Sequence, residues 1–318
     1  MTCQKISVLF FLVLFAVCSA TAQNAPRIWV SPDAISALDE IYDGNPGAAI
    51  ELSRRMQMEN PEQPLGFLIE AEAKWWNMWC ISAEYKYGII MPRHRGALPT
   101  DREYLELAAK ISALAEKQIK TRETAESRFF NGMGHALTAR LYGLRGETRN
   151  TAKAGVRARE NFERALALDQ DFADADLGLG LYNYYADTLS GVARMLRFFM
   201  GMPGGTKSEG TRLLRHAISD GVLTRTVARF YLGILLHNYD QQYETSLEIM
   251  LPLPEKYPHN PLFQLAVGDL YAKLGRRELA AARYRAAAEL TVGESECAAH
   301  LHNLAQVALT ALNANASQ

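Results

Sequence analysis

PLFQLAVGDLYAKLGRRELAAARYRAAAEL, residues 261–290, is the stretch whose reading decides the fold. Val267, Gly268 and Tyr271 fall on a first helix and Gly275 supplies a turn. Ala280, Tyr284 and Ala287 then lie four and three apart on a second helix, a spacing that keeps them on one face. The small residues Gly268, Ala280 and Ala287 let two helix backbones approach. Tyr271 and Tyr284 are expected to fill the space between neighbouring hairpins. A helical hairpin of this size cannot bury its own apolar face, so it stacks on copies of itself.

These residues resemble the tetratricopeptide repeat (TPR), whose pattern is W-x2-L-G-x2-Y, then A-x3-F, then Pro, over about 34 residues. The second-helix spacing recurs upstream in blurred form. It is carried by Ala49, Ser53 and Met56, by Ala108, Ser112 and Ala115, and by Ala158, Phe162 and Ala165. Leu232-Gly233 stands about one repeat period before Gly268. Ser31-Pro32 starts the first helix, with Ser as N-cap and Pro at the first helical position. An aromatic-rich helix is expected over 65–87, closed by Gly88 and Pro92, followed by the basic loop PRHRGALP. A helix from Glu294 to Leu312, apolar on one side, caps the array, and Asn313–Gln318 forms a tail. No strand signal stands out. The fold expected is all-α, a TPR-like α-solenoid of about 13 helices over residues 31–312, with an apolar helix inserted at 188–202.

Residues 173–217 are similar to a stretch of the eukaryotic tetratricopeptide repeat protein 39 group and its inclusion-body clearance relative. The residues concerned are Gly178, Gly180, Leu181, Tyr182 and Asn183, the apolar run Met195–Met202, then Gly204-Gly205, Glu209-Gly210 and Leu213-Leu214. The turn GGTKSEG departs from that pattern by lacking an Asp-Arg after its glycine. The resemblance implies a scaffold or adaptor without catalytic residues.

The charge is nearly balanced, 34 Lys and Arg against 35 Asp and Glu, without the clustered basic field of a nucleic-acid binder. Residues 1–22 have the layout of a secretory signal peptide: Lys5, an apolar run from Ile6 to Val17, and Ala20-Thr21-Ala22 as a cleavage site. Residues 23–30 read as a disordered lead. Export to a periplasmic or extracellular space is therefore expected. The alternative is a lipoprotein anchored at Cys18, although Val17 is larger than the small residue such signals usually carry there. Cys80 and Cys297, 217 residues apart, are expected at opposite ends of the solenoid as small buried hydrophobes rather than as a disulfide.

Trp75 and Trp79 share a helix face and Trp76 points about 100° away, so Trp76 and Trp79 are candidates for a ligand groove against the alternative of packing between hairpins. Asn183, Tyr184 and Tyr185, with Arg194 and Lys207, form the preferred candidate for a concave peptide site. The apolar helix 188–202, with Arg194 and Arg197, reads as an interior element whose arginines pair with Asp174, Asp176 or Asp187, in preference to a membrane-surface segment. His300 and His302 face different directions and make no metal site, and no P-loop, H-E-x-x-H or G-x-S-x-G motif occurs. The function expected is a non-catalytic exported scaffold that binds a protein or peptide partner without cofactor or metal. The alternative is a carrier of a small apolar ligand held between helix 65–87 and helix 188–202.

Overall fold

The computed structural model describes residues 30–86, 89–191, 202–290 and 296–314. The chain is a TPR-like all-α array. Its helices are α1 (Pro32–Tyr42), α2 (Pro46–Glu59), α3 (Pro64–Ser82), α4 (Asp101–Thr121), α5 (Ala125–Leu144), α6 (Thr148–Leu168), α7 (Ala175–Thr188), α8 (Lys207–Asp220) and α9 (Arg225–Leu235). A π-helical turn, Leu236–Asp240, continues α9. Then follow α10 (Tyr243–Met250), α11 (Pro252–Lys256), α12 (Pro261–Lys273), α13 (Arg277–Leu290) and α14 (Glu296–Ala314). Pro252 kinks α10 into α11, so the two act as one bent rod.

Local sequence explains the starts. Ser31 Oγ accepts from Ala34 N with Pro32 next in line, and Asn45 and Asn260 cap α2 and α12 ahead of Pro46 and Pro261. Packing then depends on missing side chains. A Cβ on Gly268 would stand 2.6 Å from the ring of Tyr284, so Tyr284 fills space inside its own hairpin rather than between hairpins. Phe162 of α6 is gripped from two sides in the same way, by Gly132 of α5 and Gly178 of α7.

Three expectations need correction. First, α3 ends at Ser82, and residues 83–86 and 89–92 form an antiparallel β-hairpin, β1 and β2, pairing Ala83 with Pro92 and Glu84 with Met91. The β-branched and aromatic run around Gly88 favours strands over helix continuation. Second, Cys80 and Cys297 are joined in a disulfide, their Cα atoms 5.6 Å apart. Third, Trp76 and Trp79 lie in the core, 7% and 2% exposed.

The second and third have one cause: the array curls until its two ends meet. Asn260 Nδ2 donates to Tyr42 O at 2.7 Å, and Tyr257 OH to Asp39 Oδ1 at 2.8 Å. Trp76 sits among Tyr42, Phe230 and Phe263 at centroid distances of 5.7, 5.0 and 5.6 Å, and Trp79 meets Phe230 at 5.5 Å. The hairpin is the second bridge. Ile90 N donates to Asp269 Oδ2 at 2.8 Å, and His300 Nε2 donates to the Ala83 carbonyl at 2.5 Å. Helices α3 and α12 thus become central, buried on nearly every side.

Candidate partner-binding site

Helix α7 carries Asn183, Tyr184 and Tyr185, and glycines bring α8 hard against it. A Cβ on Gly210 would stand 2.8 Å from both Gly180 O and Tyr184 N, and one on Gly205 would stand 2.5 Å from the Asn183 Cα. Backbones this close leave no room for side chains between them. Of the residues behind the resemblance at 173–217, Gly180, Gly205 and Gly210 are therefore ones at which the two segments touch. Asn183 spends its side-chain amide on its own helix, donating to Leu179 O at 2.8 Å.

The seam delivers Lys207, the first residue of α8, over Tyr184. Its backbone N donates to Asp187 Oδ2 at 2.9 Å, and its ammonium lies 5.4 Å from the Tyr184 ring and 6.0 Å from that of Tyr239. Lys207 Nζ pairs with Asp240 Oδ1, and the fully buried Tyr184 donates its hydroxyl to Asp240 Oδ2. Burial, reinforced by Asp240, pushes the Tyr184 phenol pKa up.

Tyr239 and Asp240 come from the π-helical turn. Its extra residue per turn re-aims side chains relative to an α-helix, and such turns recur at functional sites. Gln241 ends it at φ 54°, the one non-glycine residue with positive φ among the described residues. The outcome is a small aromatic face. Tyr185 and Tyr239 are 41% and 44% exposed and meet edge to face, centroids 6.2 Å apart.

The hydroxyl end of Tyr185 turns inward, toward Tyr239, Tyr231 and Arg140, where burial raises its pKa. Beneath it lies a polar cluster. Arg140 Nη1 pairs with Glu72 Oε1 at 2.6 Å, the guanidinium stacks 5.1 Å from the Trp75 ring, and Trp75 Nε1 donates to Tyr231 OH at 3.0 Å. Glu72 also borders an apolar cavity of about 20 Å³, room for one water.

Of the residues singled out by sequence, the fold gathers Asn183, Tyr184, Tyr185 and Lys207, and separates Trp76 and Trp79 from them in the core. Arg194 and Arg197 lie outside the described residues, as does most of segment 188–202. Among the described residues, Asp174 accepts from Val222 N, Leu223 N, Thr224 N and Thr224 Oγ1, tying the α8–α9 turn to α7. Tyr239, Asp240 and Arg140 escaped sequence reasoning, because a π-helical turn and a curled array leave no periodic signal.

No family model matches the chain, and comparison with curated proteins gives no match. Solved structures similar to it include the C-terminal part of a TPR repeat-containing protein from Cytophaga hutchinsonii, at 13% identity and TM-score 0.38, covering 88% of this chain and 95% of that one. The human IFIT1 dimer with m7Gppp-AAAA is similar at 14% identity and TM-score 0.41, covering 91% and 71%. Yeast Tom70 is similar at 12% identity and TM-score 0.36, covering 90% and 77%. Similarity at this level carries no functional reading.

Proposed function

We propose that the chain is a non-catalytic scaffold, exported to the cell envelope, that holds a protein or peptide segment against the Tyr185–Tyr239 face. The observation that carries this reading is the pair of half-exposed tyrosines beside the Lys207–Asp240 ion pair. The exposed tyrosine rings offer apolar area, and such residues anchor interfaces. Lys207 and Asp240 add a donor and an acceptor for a bound backbone. Because these groups are held by α7, α8 and the π-helical turn, capturing an extended segment costs little ordering on the scaffold's side.

Two observations support the finer parts. The Cys80–Cys297 disulfide favours an oxidising compartment, in keeping with the signal-like residues 1–22. The α7–α8 seam gives Gly180, Gly205 and Gly210, which carry the resemblance to the tetratricopeptide repeat protein 39 group, a packing role, and this supports reading that resemblance as kinship. The carrier alternative draws no support from the apolar cavity beside Glu72, which has space for one water, and most of its other wall, 188–202, lies outside the described residues.

The test is photo-crosslinking of the full-length exported protein from positions 185 and 239, with mass spectrometry of envelope fractions. One discrete protein captured from both positions is expected. Its binding should weaken about tenfold in Tyr185→Ala and in Tyr239→Ala, about 1.4 kcal/mol each, with melting unchanged. Lipid or small-molecule adducts without protein would move the assignment to the carrier.

A further inference from the structure

Lys207 occupies a place built for a cation. The rings of Tyr184 and Tyr239 meet at 63°, centroids 6.1 Å apart, and form a corner. The Lys207 ammonium lies in it, 5.4 Å from the first ring and 6.0 Å from the second, and pairs with Asp240 Oδ1. Two ring faces and a carboxylate attract the same charge, so they converge on a positive group of any origin. The Tyr184 hydroxyl fixes the carboxylate by donating to Asp240 Oδ2, and the π-helical turn holds Tyr239 and Asp240 side by side.

The resident ammonium is free to leave. The backbone of Lys207 is held separately, its N donating to Asp187 Oδ2 at 2.9 Å at the start of α8, so the side chain swings without opening the α7–α8 seam. Water is within its reach, since the Lys207 side chain is 32% exposed. Asp240, at 19%, stays behind and keeps its need for a counter-charge. An ammonium is compact and strongly hydrated, whereas a guanidinium is planar, less hydrated and stacks on rings. The guanidinium therefore gains more from a partly dehydrated aromatic corner. The chain uses that preference close by: Arg140 lies 5.1 Å from the Trp75 ring and 5.7 Å from the Tyr231 ring.

We propose that the partner segment presents an arginine, which displaces the Lys207 ammonium and seats on Tyr184, Tyr239 and Asp240. The proposal rests on the reading of the Tyr185–Tyr239 face as the partner site and names the side chain that this site selects. Lys207 is then an internal stand-in. It keeps the corner filled until the segment arrives and rejects neutral segments, which cannot replace its charge on Asp240.

The test uses the full chain with isotope-labelled tyrosine rings and glycine pentapeptides whose third residue is arginine, its neutral isostere citrulline, or glutamate. The arginine peptide is expected to shift the Tyr184 and Tyr239 ring signals, and the other two to leave them in place. Lys207→Met removes the competitor and strands the Asp240 charge, so it should tighten the arginine peptide by about tenfold. Asp240→Asn should weaken it by about as much. Lys207 is partly exposed, so its variant folds and keeps the test decisive should Asp240→Asn disturb the Tyr184 hydroxyl. Equal binding of the arginine and citrulline peptides would overturn the seat. So would a glutamate peptide that binds the parent and is lost in Lys207→Met, which would make Lys207 the reader of an acidic segment. Crosslinks from positions 185 and 239 separate the two readings. A protein captured there whose binding is unchanged in Lys207→Met keeps the scaffold and sinks the arginine seat. An arginine peptide that seats where no protein is captured supports the seat and sinks the scaffold.

Discussion

Residues 261–290 and residues 64–92 are both built around a long buried helix, and they solve its burial in opposite ways. In the first, α12 finds its main partner next door in sequence: Tyr284 of α13 lies over Gly268, with Ala280 and Ala287 buried alongside. In the second, α3 and its β-hairpin find theirs far along the chain, from Phe230, Phe263 and Asp269 to Cys297, which is 217 residues from Cys80. The same type of helix thus serves as a repeat unit in one region and as a strut in the other. What differs is that α12 adds a tight partner next door to its contacts across the curl, whereas the partners named for α3 all lie across it. That predicts different sensitivities. Damage to the strut should loosen the whole fold, and damage to the repeat should stay near its hairpin.

The most severe way to break the comparison is to cut the strut's covalent tie. Cys80→Ser with Cys297→Ser removes a cross-link over 217 residues, and loss of about 2–4 kcal/mol of stability is expected. Denaturant unfolding measures it. Reducing agent should destabilise the parent by a similar amount and leave the double variant unaffected. If parent and variant unfold together under oxidising conditions, the ends are held by noncovalent packing alone. The repeat is tested by Gly268→Leu, which drives a branched side chain into the Tyr284 ring. A cost of about 1–3 kcal/mol is expected from overpacking. Hydrogen exchange should localise it to α12 and α13 while the α3 amides stay protected. Uniform loss of protection would mean that repeat and strut unfold as one unit.

The two regions were also unequally legible. The hairpin spacing of Ala280, Tyr284 and Ala287 states which faces meet, because both partners lie within one repeat. Ala158, Phe162 and Ala165 could be assigned for the same reason. Nothing in residues 64–92 says where the array will close. Trp76 falls off the stripe of Trp75 and Trp79, which in a straight solenoid makes it a surface residue. In the curled one it meets Tyr42 and Phe263. The same straight-array reasoning puts Cys80 and Cys297 at opposite ends, where the curled array joins them. Tyr185 and Lys207 read as neighbours because both fall in the one stretch 173–217, whereas Tyr239 needs the π-helical turn to arrive beside them.

A pH-dependent effect sharpens the comparison at the joint between the regions, Asp269. It belongs to the repeat helix α12 but accepts Ile90 N of the strut at 2.8 Å and the Tyr284 hydroxyl at 2.9 Å. Burial is the main influence and pushes its carboxyl up to about 8, with Ile90 N, the hydroxyls of Tyr284 and Tyr85, and Lys273 opposing. His300 of α14, bonded to Ala83 O, is the further titratable group on this side of the hairpin. In the unfolded chain an aspartate titrates near 3.9. Between those values the unfolded chain has lost a proton that the folded one keeps, so stability falls as pH rises. The contribution is fully present below about pH 4 and gone above about pH 8. The slope is at most about 1.4 kcal/mol per pH unit for one proton. Asp269→Asn cannot ionise, so its melting temperature should change less than that of the parent between pH 5 and 8. The two curves should run parallel above pH 8. Parallel curves throughout would mean that Asp269 is ionised in the folded protein and that the strut is tied by a charged hydrogen bond instead.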